Sequence, residues 1–367
     1  MARRPLSFFS RILLLINLLA VVALLLSYLA SFISPEKYWI MGLFGLSYPF
    51  MLIINGVFII YWLIALRLNF LISFVAILIG FTYIINTFHI PGIKRAHILK
   101  GKTVKVLSYN VRLFDLYNWT KDGNTKTNML RFLKKASPDI FCAQEFYTSE
   151  TPGNVTDSLT LLLKAPYHHT VLTENGTENH WGMSIFSRYP IINTGKISFK
   201  VTSNNMCIYA DVKIGEQMFR VYNVHFQSIG FENEDYQFVK NIEANKEQKE
   251  LEGSMKILRR LKIAFIKRAK QADMVAESIK KSPYPVIVCG DFNDTPSSYT
   301  YHVIRESLRD AFVESGRGFG NTYNGIFPSF RIDYILHDNA IKSSGYKTLH
   351  RNYSDHFPIM TYIQVAH

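Results

Sequence analysis

Three uncharged stretches crowd the first ninety residues, and they restrict what this part of the chain can become. Residues 12–33, 39–66 and 68–90 contain no Lys, Arg, Asp or Glu. A helix of about 20 residues, rising 1.5 Å per residue, crosses a bilayer core, and soluble helices seldom stay apolar so long. Three transmembrane helices are therefore expected, at about 12–33, 40–64 and 68–90, with residues 1–95 as a membrane anchor. Arg67 alone separates the second from the third, which predicts a tight hairpin, and Pro91-Gly92 stops the third. A cleaved signal peptide competes for the first stretch, because Arg3, Arg4 and Arg11 flank it. The stretch is too long for one, and two more spans follow.

Basic residues flanking the spans are nearly balanced between the two sides. The first helix usually sets orientation, which predicts a cytoplasmic N-terminus. Three spans then put the remainder of the chain outside the cytoplasm, as part of a multi-pass integral membrane protein.

Composition changes sharply after residue 100. The first hundred residues hold eight of the 41 Lys and Arg and one of the 28 acids, Glu36, so the remainder reads as an ordinary globular domain with a modest basic excess. That excess favours anionic ligands without reaching the dense basic face of a dedicated nucleic-acid binder. Cys142, Cys207 and Cys289 all sit in apolar, strand-like runs, where a cysteine is more often a small buried hydrophobe than a bridge partner.

Residues 102–367 alternate strand and helix signals. Strands are expected at 104–109, 140–143, 183–186, 207–212, 219–224, 285–289, 332–336 and 358–363, and helices at 127–135 and 254–281. Short polar signatures attach to these runs. They are Ser108-Tyr109-Asn110-Val111-Arg112, Gln144-Glu145, Asn223-Val224-His225, Gly290-Asp291-Phe292-Asn293, Arg331-Ile332-Asp333-Tyr334 and Ser354-Asp355-His356-Phe357-Pro358. Acids, amides and imidazoles at strand ends are what a site needs to hold a hard divalent cation, deprotonate a water and receive a phosphate.

In order and spacing the set resembles the endonuclease/exonuclease/phosphatase superfamily, which includes pancreatic deoxyribonuclease, abasic-site endonucleases, neutral sphingomyelinases and inositol-polyphosphate phosphatases. The resemblance runs from about Lys102 to the C-terminus. It implies an α+β fold, a four-layered α/β sandwich of two packed, mainly antiparallel sheets flanked by helices, here preceded by the three transmembrane helices. It also implies a metal-dependent hydrolase of phosphate esters. Glu145 would be the principal ligand of Mg²⁺, with Mn²⁺ a possible substitute, and Asn110 and Asp355 would complete the metal's surroundings. Asp291 would activate the attacking water, and Asn293 would donate to a phosphate oxygen. His356 would bond the scissile phosphate, with Asp333 on its other ring nitrogen, and His225 would contact the phosphate or assist the leaving oxygen.

Weaker signals remain. Arg188, in Ser187-Arg188-Tyr189-Pro190, would reach substrate or brace neighbouring loops, and Thr322 would donate to phosphate. His180-Trp181 could stack on a head group or cover the core. His168-His169 lacks the partner spacing of a zinc site and reads as structural. Asp294 is expected to cap a helix beginning near Pro296, and Ser354 to serve its turn. The polar stretch 231–253 is expected to be a solvated loop.

Three function classes follow. The first is a membrane-tethered phosphohydrolase acting on a phosphate ester, possibly lipid-linked, with the bilayer lipid itself as the anchor's partner. The second is a tethered endo- or exonuclease with nucleic acid as substrate. The third is a non-catalytic binding protein, which has no physical need for the whole polar set. No protein partner is implied. Residues 92–102 would act as a short tether, so removing residues 1–95 is expected to spare turnover of a small soluble ester.

Overall fold

A computed structural model of the chain describes residues 7–89, 101–149, 154–173, 179–199, 205–230, 247–325 and 329–365. Two N-terminal helices, α1 (Phe8–Leu29) and α2 (Ile40–Ile64), are each long and apolar enough to cross a membrane. The third expected span is instead a bent pair, α3 (Phe70–Ile79) and α4 (Phe81–Thr87), meeting at 66°. Two or three crossings are thus available, depending on whether the pair counts as one. The break falls at Gly80, where a Cβ would run into the Tyr28 ring. Only glycine lets that ring in, and the helix bends around it.

Leu15, Leu19, Ile53, Val57 and Ile60 are all more than half exposed, an apolar belt of the kind that faces lipid. Polar side chains turn inward. Asn17 Nδ2 donates to Ser73 Oγ at 2.6 Å, Ser73 Oγ to Asn55 Oδ1 at 2.8 Å, and Trp62 Nε1 to Asn17 Oδ1 at 2.9 Å. Asn55 Nδ2 closes the set on the Met51 and Ala20 carbonyls. Every member is satisfied, as burial away from water requires, and the network joins α1, α2 and α3.

The rest of the described chain builds two six-stranded sheets. One carries β1 (Thr103–Asn110), β2 (Ile140–Ser149), β3 (Tyr167–Leu172), β4 (Asn179–Ser187), β11 (Lys342–Thr348) and β12 (Ile359–Gln364), in the order β11-β12-β1-β2-β4-β3. The other holds β5 (Ile191–Ile197), β6 (Met206–Ile214), β7 (Gln217–His225), β8 (Val286–Asp291), β9 (Leu308–Asp310) and β10 (Asp333–Asp338), in the order β5-β6-β7-β8-β10-β9. Pairing is antiparallel except for β1 with β2 and β7 with β8. A parallel pair needs a long crossover, supplied by α5 (Thr125–Ala136) in the first case and α7 (Glu247–Lys280) in the second. α6 (Val155–Leu163) joins α5 outside one sheet; α8 (Tyr299–Arg305) and α9 (Ala311–Ser315) lie at the far edge of the other.

Apolar side chains from both inner faces, among them Val106, Ile140, Ile208, Val221, Ile287 and Ile335, fill the space between the sheets. β1 and β8 are buried on both faces, which explains their unbroken apolar runs. The edge strands β3, β5 and β11 escaped the sequence reading because their exposed residues interrupt the pattern, and β9 because it is only three residues long. α7 begins seven residues earlier than expected, so 247–253 is helix and not loop; residues 231–246 lie outside the described residues.

The N-terminal helices are docked on the two-sheet part and do not merely precede it. Ser31 Oγ donates to the Ser297 carbonyl at 2.9 Å, and Ser297 Oγ to the Gly45 carbonyl at 2.8 Å. Arg305 Nη1 reaches Asn86 Oδ1 and Arg331 Nη2 reaches the Asn86 carbonyl, both at 2.7 Å. His89 and Gly318 exchange two backbone hydrogen bonds. The expected linker, 92–102, lies mostly outside the described residues.

Arg331 is 3 % exposed, pairs with Asp310 at 2.8 Å and stacks on the rings of Phe312 and Tyr334. Arg331→Met leaves Asp310 charged, buried and short of its partner, so the domain should lose about 3–5 kcal/mol. Thermal unfolding in detergent tests this, and a melting temperature equal to that of the parent would refute it.

Candidate active site

Six chain segments deliver polar groups to one end of the sandwich. β1, β7 and β8 finish there, with Asn110, His225 and Asp291 on their last turns of pleat. Asp333 opens β10, and Asp355 and His356 precede β12. Glu145 was expected to end its strand, but β2 continues to Ser149. Between Ala143 and Phe146 the pairing with β4 slips, and Glu145 occupies that bulge at φ +47°. A bulge re-aims one side chain without ending the sheet.

Asp291 is the hub. Its Oδ2 accepts from Asn110 Nδ2 and Asn293 Nδ2, each at 3.1 Å, and lies 3.7 Å from His225 Nε2 and 3.6 Å from His356 Nε2. Its Oδ1 accepts from the Asn293 backbone at 2.8 Å. The turn is possible because Gly290, at φ +146°, presses on the Val224 backbone where any Cβ would collide. Asn110 Nδ2 also donates to Glu145 Oε1 at 3.1 Å, and His225 Nε2 stands 3.6 Å from that oxygen. His356 Nδ1 and Asp333 Oδ2 are 2.9 Å apart, forming the expected dyad. Asp355 faces Arg112 Nε at 3.3 Å.

Charge follows burial. Desolvation pushes the Asp291 carboxyl up to about 6, with His356 opposing the shift and Asp333 adding to it. Glu145 is raised as well, by desolvation first and then by Asp355, although 36 % of its side chain stays open. Desolvation lowers His225. It works against His356 too, yet Asp333 and Asp291 overcome it and hold that imidazole well above its ordinary pKa. His356 thus lies between two carboxyl groups that favour its protonated form.

Metal-ligating atoms fall into two neighbouring groups. Asp291, Asp333 and His356 offer ligand atoms within 4.8 Å of one another, a cluster the sequence reading did not single out as a metal site. Asn110, Glu145 and Asp355 form the other, an all-oxygen donor set suited to a hard cation. In it the raised Glu145 and the adjacent Asp355 repel each other, a conflict a dication would relieve.

Two expected substrate contacts are elsewhere. Arg188 lies at the opposite end of β4, bonded to Asp139, Ser137 and the Leu163 carbonyl, and so braces loops. Thr322 is fully buried, and its hydroxyl accepts from the backbone of Ile332 and Asp333 at 3.0 and 3.1 Å. It seats Asp333 and does not face a phosphate. Asp294 is not the helix cap, which is Ser298. Ser354 does serve its turn, bonding the Asn110 carbonyl and the His356 backbone.

Two supporting groups carried sequence signals that were left unread. Arg268 stands on the apolar stripe of α7, three residues after Phe265 and four before Ala272, where a charge needs a buried partner. It finds Asp294 at 3.1 Å and the Gln227 carbonyl at 3.1 Å, clamping the segments that follow Asp291 and His225. Gln144 and Asn223 were only parts of motifs. They meet between the sheets at 2.7 Å, and Asn223 Nδ2 bonds the Ala143 and Ser184 carbonyls, which pins the Glu145 bulge to β7.

A two-sheet sandwich with carboxylates, amides and imidazoles converging at one end is the fold and site of phosphoesterases and nucleases. The chain belongs to the Endonuclease/Exonuclease/phosphatase family, whose model matches residues 107–356. Residues 10–87 match a domain of unknown function. Among solved structures, an endonuclease/exonuclease/phosphatase family protein from Bacteroides thetaiotaomicron is 18 % identical over 72 % of this chain and 98 % of its own, with a TM-score of 0.51. The catalytic domain of human Nocturnin with a bound sulfate anion is 16 % identical over 73 % and 96 %, TM-score 0.51. A mannosyl-6-phosphatase from B. thetaiotaomicron is 18 % identical over 71 % and 100 %, TM-score 0.50. Comparison with curated proteins found no match. Members of this family hydrolyse phosphate esters.

Proposed function

We propose that this chain is a membrane-anchored, divalent-metal-dependent phosphoesterase whose substrate is a phosphate ester held at the membrane surface, lipid-linked in its simplest form. The observation that carries the reading is the convergence of Asn110, Glu145, His225, Asp291, Asn293, Asp333, Asp355 and His356 beside segments on which the anchor is docked. Ser297 follows Asp291 by six residues and Arg331 precedes Asp333 by two. The same segments therefore hold the chemistry and meet the membrane helices. Residues 1–95 act as the anchor and 102–367 as the catalytic unit, with the N-terminus and the active site on opposite sides of the bilayer.

Glu145, Asn110 and Asp355 would hold Mg²⁺ or Mn²⁺, because all three offer the oxygen donors a hard cation takes, whereas the neighbouring cluster includes an imidazole. The metal supplies charge neutralisation at the phosphate oxygens. Asp291 takes the proton of the attacking water, and its raised pKa makes it a stronger base than an ordinary aspartate. Asn293 and His225 would donate to the phosphate, and His356, fixed by Asp333, would stabilise charge as it builds.

Alkaline carbonate should leave the full chain in the membrane pellet; release into the supernatant would remove the anchor reading. For substrate, the purified chain with Mg²⁺ should turn over polyprenyl pyrophosphates, phosphoinositides or sphingomyelin in mixed micelles with higher kcat/KM than duplex DNA, RNA or sugar phosphates. Full activity in excess EDTA would sink the metal role. Plasmid cutting that is lost in Asp291→Ala, without lipid turnover, would make the chain a nuclease.

His356→Ala and Asp333→Asn should each lower kcat by about 10²–10⁴-fold and by similar factors, because the dyad works as one unit. Widely different losses would show that Asp333 does more than orient the ring.

A further inference from the structure

We propose that the first half of α7 is a binding surface for anionic phospholipid head groups, an inference that rests on the anchor being membrane-spanning. Ser254 to Lys270 contains seven Lys and Arg and no acid. Arg268 and Lys270 are committed to Asp294 and Glu36. Arg259 and Lys262 point outward, and among the described residues neither forms an ion pair. They share their face with Met255 and Ile263, which are 54 % and 47 % exposed. The spacing i, i+4, i+7, i+8 puts all four on one stripe, mixing cationic and apolar side chains as helices lying in a membrane interface do.

Height fixes the occupant. α2 has 25 residues, about 37 Å of helix against a hydrocarbon core of about 30 Å, so a turn or more projects into the head-group layer. The first turn is where α7 touches it. The Phe265 ring occupies the space a side chain at Gly42 would take, and the Lys262 ammonium sits 5.4 Å from the Trp39 ring centre. Trp39 and its neighbour Tyr38, 65 % exposed, are residues of the kind enriched at the membrane-water boundary. A cationic stripe held at that depth meets lipid phosphates before anything else.

The same helix grips the site through Arg268 on Asp294, so lipid contact is made one helix away from Asp291. An anionic surface there enriches negatively charged lipid beside the site without requiring that lipid to be the substrate.

Met255→Cys in the full chain, labelled with a bimane, tests this, since the three native cysteines are buried. The protein is reconstituted in phosphatidylcholine nanodiscs doped equally with either phosphatidylglycerol or phosphatidylcholine spin-labelled near its glycerol backbone. Quenching by the phosphatidylglycerol should be several-fold stronger, the enrichment that about 1 kcal/mol per basic side chain gives at an anionic surface. Arg259→Glu with Lys262→Glu, or high salt, should bring the two lipids to parity. Equal quenching in the parent, or no quenching by either lipid, overturns the proposal. A label at Ile263→Cys repeats the measurement if Met255→Cys perturbs the helix. Hydrolysis plays no part in the readout, so the result stands apart from the outcome of the substrate screen.

Discussion

Asp291→Ala will lower kcat by about a thousandfold or more while the fold survives. The carboxylate accepts from two side-chain amides and sits between two imidazoles, so alanine removes the proposed water-activating base, takes the common acceptor from Asn110 and Asn293, and leaves His356 without the charge 3.6 Å from its Nε2. Glu145→Ala should be comparably severe, because it removes the carboxylate proposed to hold the metal. Groups that act as a unit are not additive. The double variant should therefore be scarcely worse than either single one, measured as kcat on a small phosphoester with saturating Mg²⁺. A double loss equal to the product of the single losses would mean that the two carboxylates work independently. Asp291→Asn separates charge from shape, and recovery of activity in that variant would exclude a proton-accepting role.

Removing residues 1–95 will damage the catalytic unit itself. The sequence alone predicted a tether whose loss spares soluble substrates, and the docked anchor reverses that expectation. Truncation strips Asn86 from both Arg305 and Arg331 and removes the His89 pairing from Gly318. Hydrogen bonds to charged groups are worth about 1.5–3 kcal/mol each, so the two arginine contacts alone amount to about 3–6 kcal/mol. Turnover of a small soluble ester should fall together with the melting temperature. Asn86→Ala in the full chain should give a smaller shift, since the backbone carbonyl still receives Arg331. An unchanged melting temperature in the truncated protein would return the anchor to the status of a tether.

The sequence reading brought residues to one rim where the signal is local and misplaced them where position depends on a partner far along the chain. Asn110, His225, Asp291 and Asp333 were legible because each terminates or opens an apolar run, and strand ends in such a sandwich share one rim. The bulge at Glu145 was not, because it exists only through the slipped pairing with β4 and the brace from Asn223. Arg188 carried the right neighbours in sequence, yet the direction of β4 sends it to the other rim. Thr322 lay near the correct motif, but the backbone of Asp333 claims its hydroxyl. The third span looked continuous because hydropathy counts charges and lengths. Gly80 was the available sign, and its meaning depended on the Tyr28 ring.

The bent pair has a consequence for how the protein is made. α3 is ten residues long, about 15 Å, roughly half the hydrocarbon thickness, so it is a poor candidate for entering a bilayer alone. Ser73 gives it a place to go, since its hydroxyl can accept from Asn17 and donate to Asn55 only after α1 and α2 have come together. In the proposed membrane-spanning arrangement assembly would be ordered: two helices insert, the broken one is recruited between them, and only then does Asn86 reach the position where Arg305 and Arg331 bond it. Enzyme maturation would be gated by completed membrane assembly, and a chain stalled before that step would carry an unfinished hydrolase.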